Sequence, residues 1–398
     1  MARPSALAVD VGGTKLAVGV VDDDGAVLRS ELSATAGDGP EALFSVLAGL
    51  VDEVATGGEV VCGVGCGGPM SAGGEEVSPL NIPAWRGFPL RARLAARTGL
   101  PTFVDNDAKA LALGEGWRGA ARGTADFLAM VVSTGVGGGI VLDGALLDGA
   151  AGNAGHIGHV IVAPEGRACA CGARGCLEAE ASGLSIQAAT GRPAAEAGPE
   201  VVARTGVLVG RAVASVANLL DLRLAVVAGS VALGFGPPFF AAAQAEVDRS
   251  ARLDFSSGTR VVPAGLGADG PLVGAAAVGW RAVGRPVLAA GRKSRPSCRA
   301  ALAPGMRGGA APGRAEGSWA AAAAAVAARP RLWLTAVGQV ARLAPTGWWR
   351  RRPHLPVPGR DYLAFRLETM YGGRDRRPVA RDVVGYLRWC RSYRRLLR

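Results

Sequence analysis

Between Gly158 and Glu178 the chain reads GHVIVAPEGRACACGARGCLE, which gathers His159, Cys169, Cys171 and Cys176 into eighteen residues. Three thiols and one imidazole are a complete ligand set for a tetrahedral Zn2+ ion, and ligands this close in sequence converge only if the segment folds back into a tight loop. The loop holds three of the chain's seven cysteines, and His156 and His159 are two of its three histidines. A disulfide or thiols buried for packing alone are the other readings. A Cys169–Cys171 bridge would be geometrically strained, and nothing else in the sequence points to an oxidising compartment. A structural zinc is therefore expected. All four ligands come from protein, so no position stays open for a catalytic water.

The formal net charge of +11 suggests a nucleic-acid or membrane partner, but the average conceals two opposite parts. Residues 1–285 carry 21 basic and 28 acidic side chains, whereas residues 286–398 carry 23 and 5. The stretch RPVLAAGRKSRPSCRAALAPGMRGGAAPGRAEG, rich in Gly, Pro, Ala and Arg, has too few large apolar residues to fold alone. This predicts an acidic folded part over 1–285, a disordered linker over 286–328 and a basic module over 329–398. Within the folded part, one lobe is expected over 1–116 and a second over 117–285. No apolar leader precedes the first strand and no run of eighteen apolar residues occurs, so cytoplasmic residence is the expectation.

Two glycine-rich hairpins punctuate the folded part. In the first, apolar runs Leu7–Val11 and Leu16–Val21 flank the turn Gly12, Gly13, Thr14, Lys15. Glycines let backbone N–H groups approach phosphate oxygens, Thr14 and Lys15 can donate to them, and Asp10 can hold Mg2+. A hairpin with a Gly-Gly tip is also an ordinary turn. In the second, Phe127–Val132 and Ile140–Leu142 flank Ser133–Gly139, which includes Thr134, Gly135, Gly137 and Gly138. Two such hairpins, about 120 residues apart, suggest two lobes closing on one nucleotide. Neither is a Walker A loop or a dinucleotide-binding fingerprint, because a strand rather than a helix follows each. Between them, the strand end Thr102–Val104 delivers Asp105, Asn106 and Asp107 to a predicted helix over Ala108–Gly116. Carboxylates at such a junction serve either as helix caps or as a general base. Further on, a strand ending at Gly229 and Ser230 faces either a purine or phosphate or simply a turn into the next helix. Pro271–Trp280 reads as a helix of small residues.

Taken together, DVGGTK at 10–15, GVGCGGPM at 63–70, NIPAW at 81–85, DNDA at 105–108, STGVGGGI at 133–140 and the zinc stretch resemble the ROK family of bacterial sugar kinases and related repressors. That family lies within the actin-like ATPase superfamily, and the resemblance runs from Leu7 to Gly284. It implies an α/β fold of two ribonuclease-H-like lobes around a central cleft that holds ATP with Mg2+ and a hexose or amino-hexose. By the same resemblance Asp107 is the catalytic base. Gly68, Asn81, Asn106, His159 and Glu178 contact the sugar, and the two glycine turns with Asp10 hold the phosphates. A homodimer or higher homo-oligomer is expected on the same ground. One position departs: sugar-phosphorylating members usually read ExGH where this chain reads His156-Ile157-Gly158-His159. An imidazole replaces a bidentate acceptor there, which puts the sugar's identity at issue more than the phosphoryl chemistry.

The leading expectation is an ATP:hexose phosphotransferase resembling glucokinase. The alternatives are a sugar-responsive transcriptional regulator and a catalytically silent sugar-binding protein. Regulators of the family carry a helix-turn-helix ahead of the first glycine turn, which here begins at residue 10. In the basic module, Arg interleaved with Trp and Tyr suits nucleic acid, an acidic partner or a membrane surface. It equally suits an accessory module with no bearing on the folded part, and it is assigned no function. Helical spacing is predicted over Asp382–Leu397.

Overall fold

The computed structural model describes residues 3–291, 318–343 and 377–387. The chain divides into two compact units, Met1–Arg295 and Pro296–Arg398.

The first unit opens with an antiparallel meander, β1 (Ser5–Val11), β2 (Lys15–Asp22) and β3 (Val27–Ala34), followed by α1 (Pro40–Val54). Then come β4 (Glu59–Cys66), α2 (Leu90–Thr98) and β5 (Thr102–Asn106). The sheet order is β3-β2-β1-β4-β5, with β4 and β5 parallel to β1. Helix α3 (Asp107–Trp117) leads to a second meander, β6 (Phe127–Val132), β7 (Val136–Leu142) and β8 (Ala145–Leu146). Helices α4 (Leu177–Ala181), α5 (Gly183–Thr190) and α6 (Pro199–Leu220) precede β9 (Leu224–Ala228), α7 (Ser230–Ser250), β10 (Arg260–Pro263) and α8 (Gly270–Ala282). The second sheet runs β10-β9-β6-β7-β8, the same topology as the first with its opening hairpin at β6–β7. Two sheets of one plan are the α/β architecture expected.

Sheets covered on both faces read as nearly continuous apolar runs, and β1 and β4 do. Alternation still sorts their side chains. Leu7, Val9 and Val11 join Leu43, Phe44, Leu47 and Val51 of α1 in one core. Ala6, Ala8 and Val61 join Leu113 of α3, Leu272 and Trp280 of α8, and Phe127, Val141 and Val226 of the second sheet in another. Helices α3 and α8 thus lie between the sheets, where only small residues leave room: a Cβ at Gly63 of β4 would stand 2.0 Å from the Ala275 carbonyl oxygen. The outer face of the second sheet is covered by a third core, including Val209 and Val213 of α6 and Phe239 and Val247 of α7.

Chain position and spatial lobe part company here. The segment expected as a second lobe over 117–285 ends in α8, which returns to pack on the first sheet. Nor is 286–328 structureless throughout. Val287 is only 4% exposed and Leu288 packs beside it, because the segment after α8 closes the end of the interlobe core. At its other end, Trp319–Ala327 forms a helix capped by Ser318, whose hydroxyl accepts from the Ala321 N–H. Residues 292–317 lie outside those described.

In the second unit, helices α9 (Trp319–Ala327) and α10 (Pro330–Leu343) and a helical stretch over 380–387 are described. Leu332, Val384 and Leu387 form a small buried cluster with Ala325, Val326 and Ala336 packed against it. The predicted Asp382–Leu397 helix is followed to residue 387, and its remainder lies outside the described residues. Among the described residues no helix is long and apolar enough to cross a membrane.

Candidate active site in the interlobe cleft

A cavity of about 300 Å3 opens where the carboxyl ends of β1, β4 and β5 face the β6–β7 turn. Its lining brings together Gly12, Gly13 and Thr14 of the first turn with Thr134, Gly135, Gly137 and Gly138 of the second. Gly68, Asn81, Asn106, Asp107, His156, His159 and Glu178 line it as well. Four residues named from the sequence do not: Asp10 stands near the end of β1 beside Gly65 of β4, Lys15 begins β2, and Gly229 and Ser230 stand behind the second turn. Pro79 and Leu80, which the sequence reading passed over, add an apolar wall.

Local sequence explains how each group is held. The first turn closes through Gly12 N–H donating to the Lys15 carbonyl. Thr35, not singled out from the sequence, donates its hydroxyl to the Gly12 carbonyl (2.8 Å), and its N–H donates to the Thr14 carbonyl. Asn81 lies directly over Gly13, where a Cβ would come within 2.6 Å of its own. At the β5–α3 junction the capping reading of the sequence holds. Asn106 caps α3 by accepting from the Ala108 N–H (3.0 Å), and Asp107 Oδ1 accepts from the same group (2.8 Å). The other oxygen of Asp107 faces Gly67. The second turn rests on Gly229, whose φ of +99° and position 2.3 Å from the Val132 carbonyl oxygen (measured to an added Cβ) admit no side chain. Ser230 meets the hydroxyl of Ser133 at 2.9 Å, so this pair braces the turn from behind.

The electrostatics concentrate on two acids. Asp107 is open to the cavity yet deep in the protein, and desolvation raises its pKa against the Ala108 N–H and the His156 charge that would lower it. Desolvation, then repulsion by Asp107, pushes Asp10 up to about 7. Burial lowers the pKa of His156 and His159 adds to this, against the pull of Asp107 and Glu178. The His156 ring is therefore neutral at neutral pH.

Behind the cavity wall, His159, Cys169, Cys171 and Cys176 place their donor atoms within 4.8 Å of one another. His159 Nδ1 lies 3.8 Å from Cys169 Sγ, and Cys171 Sγ lies 3.7 Å from Cys176 Sγ. A tetrahedron with Zn–S bonds of about 2.3 Å has edges of about 3.8 Å, so the four residues fit the ion. Burial and the neighbouring thiols push Cys176 up to about 12, which a cation would reverse by taking the thiolate. With Nδ1 turned to the sulfurs, His159 keeps Nε2 for the cavity it lines. Glu178, two residues after Cys176, accepts from the Val136 N–H (2.9 Å) and ties the loop to the second glycine turn.

A family model described as "ROK family" matches residues 6–281. A glucokinase of Thermotoga maritima is 42% identical over 192 residues, covering 47% of this chain and 60% of that protein, so the match spans less than two thirds of its length. An N-acetylmannosamine kinase of Citrobacter koseri is 40% identical over 248 residues, covering 58% of this chain and 85% of that protein. Among solved structures, a ROK family glucokinase of Streptomyces griseus in complex with glucose and AMPPNP superposes with a TM-score of 0.62 at 30% identity. It covers 70% of this chain and 99% of that one.

Proposed function

The chain belongs to the ROK family, and from that premise we propose that it is an ATP-dependent sugar kinase that transfers the γ-phosphate to a hexose hydroxyl, with Asp107 as general base. The observation that carries this is one cavity in which Asp107 stands between two glycine turns from facing lobes. Phosphoryl transfer asks little covalent chemistry of a protein and much positioning and charge neutralisation. Backbone N–H groups of Gly13 and Gly135 suit phosphate oxygens, while Gly12, whose own N–H closes the turn onto Lys15, and Gly137 of β7 leave room for them. Asn81, lying over Gly13, brings a polar contact to the boundary between phosphate and sugar. Asp107 then accepts the hydroxyl proton as that oxygen attacks in line, and its raised pKa brings it nearer the working pH of a base. Asp10, a desolvated carboxylate near the end of β1, suits the Mg2+ ion that accompanies the nucleotide and neutralises its charge. His159, Cys169, Cys171 and Cys176 would hold the zinc ion, which cross-links the loop carrying His159 and Glu178. The cytoplasm is the compartment proposed, where reduced thiols persist.

His156 favours a second reading of the substrate. A neutral imidazole offers one donor and one acceptor, whereas a carboxylate offers acceptors only. The amide of an N-acetylated hexosamine presents the matching N–H and C=O, and the relative covered over 85% of its length is named an N-acetylmannosamine kinase. A coupled ADP-release assay over glucose, mannose, fructose, N-acetylglucosamine and N-acetylmannosamine tests both readings. Turnover with any of them supports the kinase, and the ranking assigns the sugar. The His156→Glu variant is expected to raise the preference for glucose over N-acetylmannosamine about tenfold, the worth of one strong hydrogen bond. An unchanged ranking rejects His156 as the discriminating residue. No turnover with any sugar, alongside sugar-dependent DNA binding, overturns the kinase in favour of a regulator.

A further inference from the structure

Lys109 is one of three lysines in the chain, and its side chain is 3% exposed. It sits on α3, two residues beyond Asp107, and reaches out of the first lobe. Its ammonium lies 3.0 Å from Asp105 Oδ1 and 2.7 Å from Asp148 Oδ1, and it donates to the Gly152 carbonyl at 3.3 Å. Asp105 belongs to the β5 end that presents Asn106 and Asp107. Asp148 and Gly152 belong to the loop that leaves β8 in the second lobe and arrives at His156. Lys109 therefore grips that loop at two points while anchored beside the general base.

The loop transmits the grip. Its Ala154 N–H donates back to the Asp148 carbonyl (3.0 Å), and Gly155 is pressed against the Gly138 backbone on β7. Arg281 of α8 holds the second oxygen of Asp148 at 3.4 Å. Against burial, which works to raise it, the Lys109 hydrogen bond and the Lys109 and Arg281 charges hold the Asp148 carboxyl below its usual range. The Asp148 carboxylate is thus ionised through the neutral range. Among the described residues no hydrogen bond from another side chain holds the His156 ring, which stacks beside His159 at 6.1 Å, so its place in the cavity is set by the loop and by that one ring contact.

We propose that Lys109 is a positioning residue for the sugar end of the cavity: the Asp105–Lys109–Asp148 clasp sets where His156 stands relative to Asp107. The inference rests on the sugar-kinase reading. A buried ammonium shared by two carboxylates from facing lobes is otherwise an expensive way to hold a loop, since the Lys109 charge must be desolvated. What it supplies is a fixed distance between the two lobes at the substrate.

The test uses the full chain and two variants. Asp148→Asn removes the charge from one of the two grips while leaving Lys109 paired with Asp105 and donating to the Gly152 carbonyl, and Asp148 is half exposed, so the fold tolerates the change. Lys109→Met removes the clasp itself. For Asp148→Asn the expected result is a sugar KM raised about tenfold, a narrower spread of kcat/KM across the five sugars and an ATP KM within about twofold of the parent. In a His156→Ala background the same change is expected to add nothing, a coupling that a merely structural role would not produce. Unchanged sugar KM and selectivity in folded Asp148→Asn overturns the proposal, as does full additivity with His156→Ala. If Lys109→Met fails to fold, Asp148→Asn alone decides. If the parent turns over no sugar, the kinase reading fails separately, and the clasp is judged by calorimetric titration of glucose and N-acetylmannosamine under the same expectations. Absence of binding by either sugar overturns both.

Discussion

Asp107 and Asp10 give the sharpest expectations at the scale of single residues. Asp107→Asn keeps the shape and the hydrogen bond to Ala108 N–H but cannot accept a proton. Its kcat should fall by about 10²–10⁴-fold with little change in sugar KM, measured by ADP release. Asp10 predicts a pH dependence of stability. Its carboxyl sits at about 7 in the fold against an ordinary 3.8. Between those values the folded protein binds a proton that the unfolded chain does not, so stability is greatest below the lower value and falls as pH rises toward the upper. Urea melts of the nucleotide-free protein at pH 4.5 and 7.5 should show the loss, roughly 4 kcal/mol at most, and Asp10→Asn should abolish it. That Asp107 stands in the cavity was legible from its motif. That Asp10 is not among the residues lining the cavity was not, because the packing of β4 and α3 beside it depends on residues far along the chain.

Elements show why some of the site could be read ahead and some could not. Alternating apolar residues around Gly-Gly tips identified both hairpins, since strand period and turn chemistry are local. The zinc loop was legible for the same reason, with all ligands inside one segment. Chelation with a strong zinc chelator should therefore unfold that loop, lower the melting temperature and abolish sugar phosphorylation together, while Zn2+ alone restores all three. Activity that survives verified zinc loss would remove the loop from the site. The clasp was illegible because Lys109 and Asp148 are 39 residues apart and nothing local distinguishes a lysine that will be buried. The second glycine run was half legible. Gly137, Gly138 and Gly139 read as turn residues but lie inside β7, where small residues admit α3, with Ala112 within 2.7 Å of a Cβ placed at Gly139.

The whole molecule is an acidic two-lobed unit followed by a basic unit, a contrast visible in composition. The first unit runs on past residue 285, because the segment 286–291 resembles linker yet fills the end of the interlobe core. A chain cut after residue 291 is expected to keep kcat and KM within about twofold. One cut after 285 should lose about 3 kcal/mol and several degrees of melting temperature, the worth of covering Val287 and Leu288. Equal melting temperatures for the two would show that the segment contributes nothing. The return of α8 to the first sheet also bears on biosynthesis. A ribosome releases the first sheet early, but the apolar face over Ala6, Ala8 and Val61, which Leu113 of α3 joins, is not fully covered until Leu272 and Trp280 emerge. The lobe begun first is thus finished last, and nascent chains halted short of α8 should present that open face to chaperones rather than a completed half-enzyme.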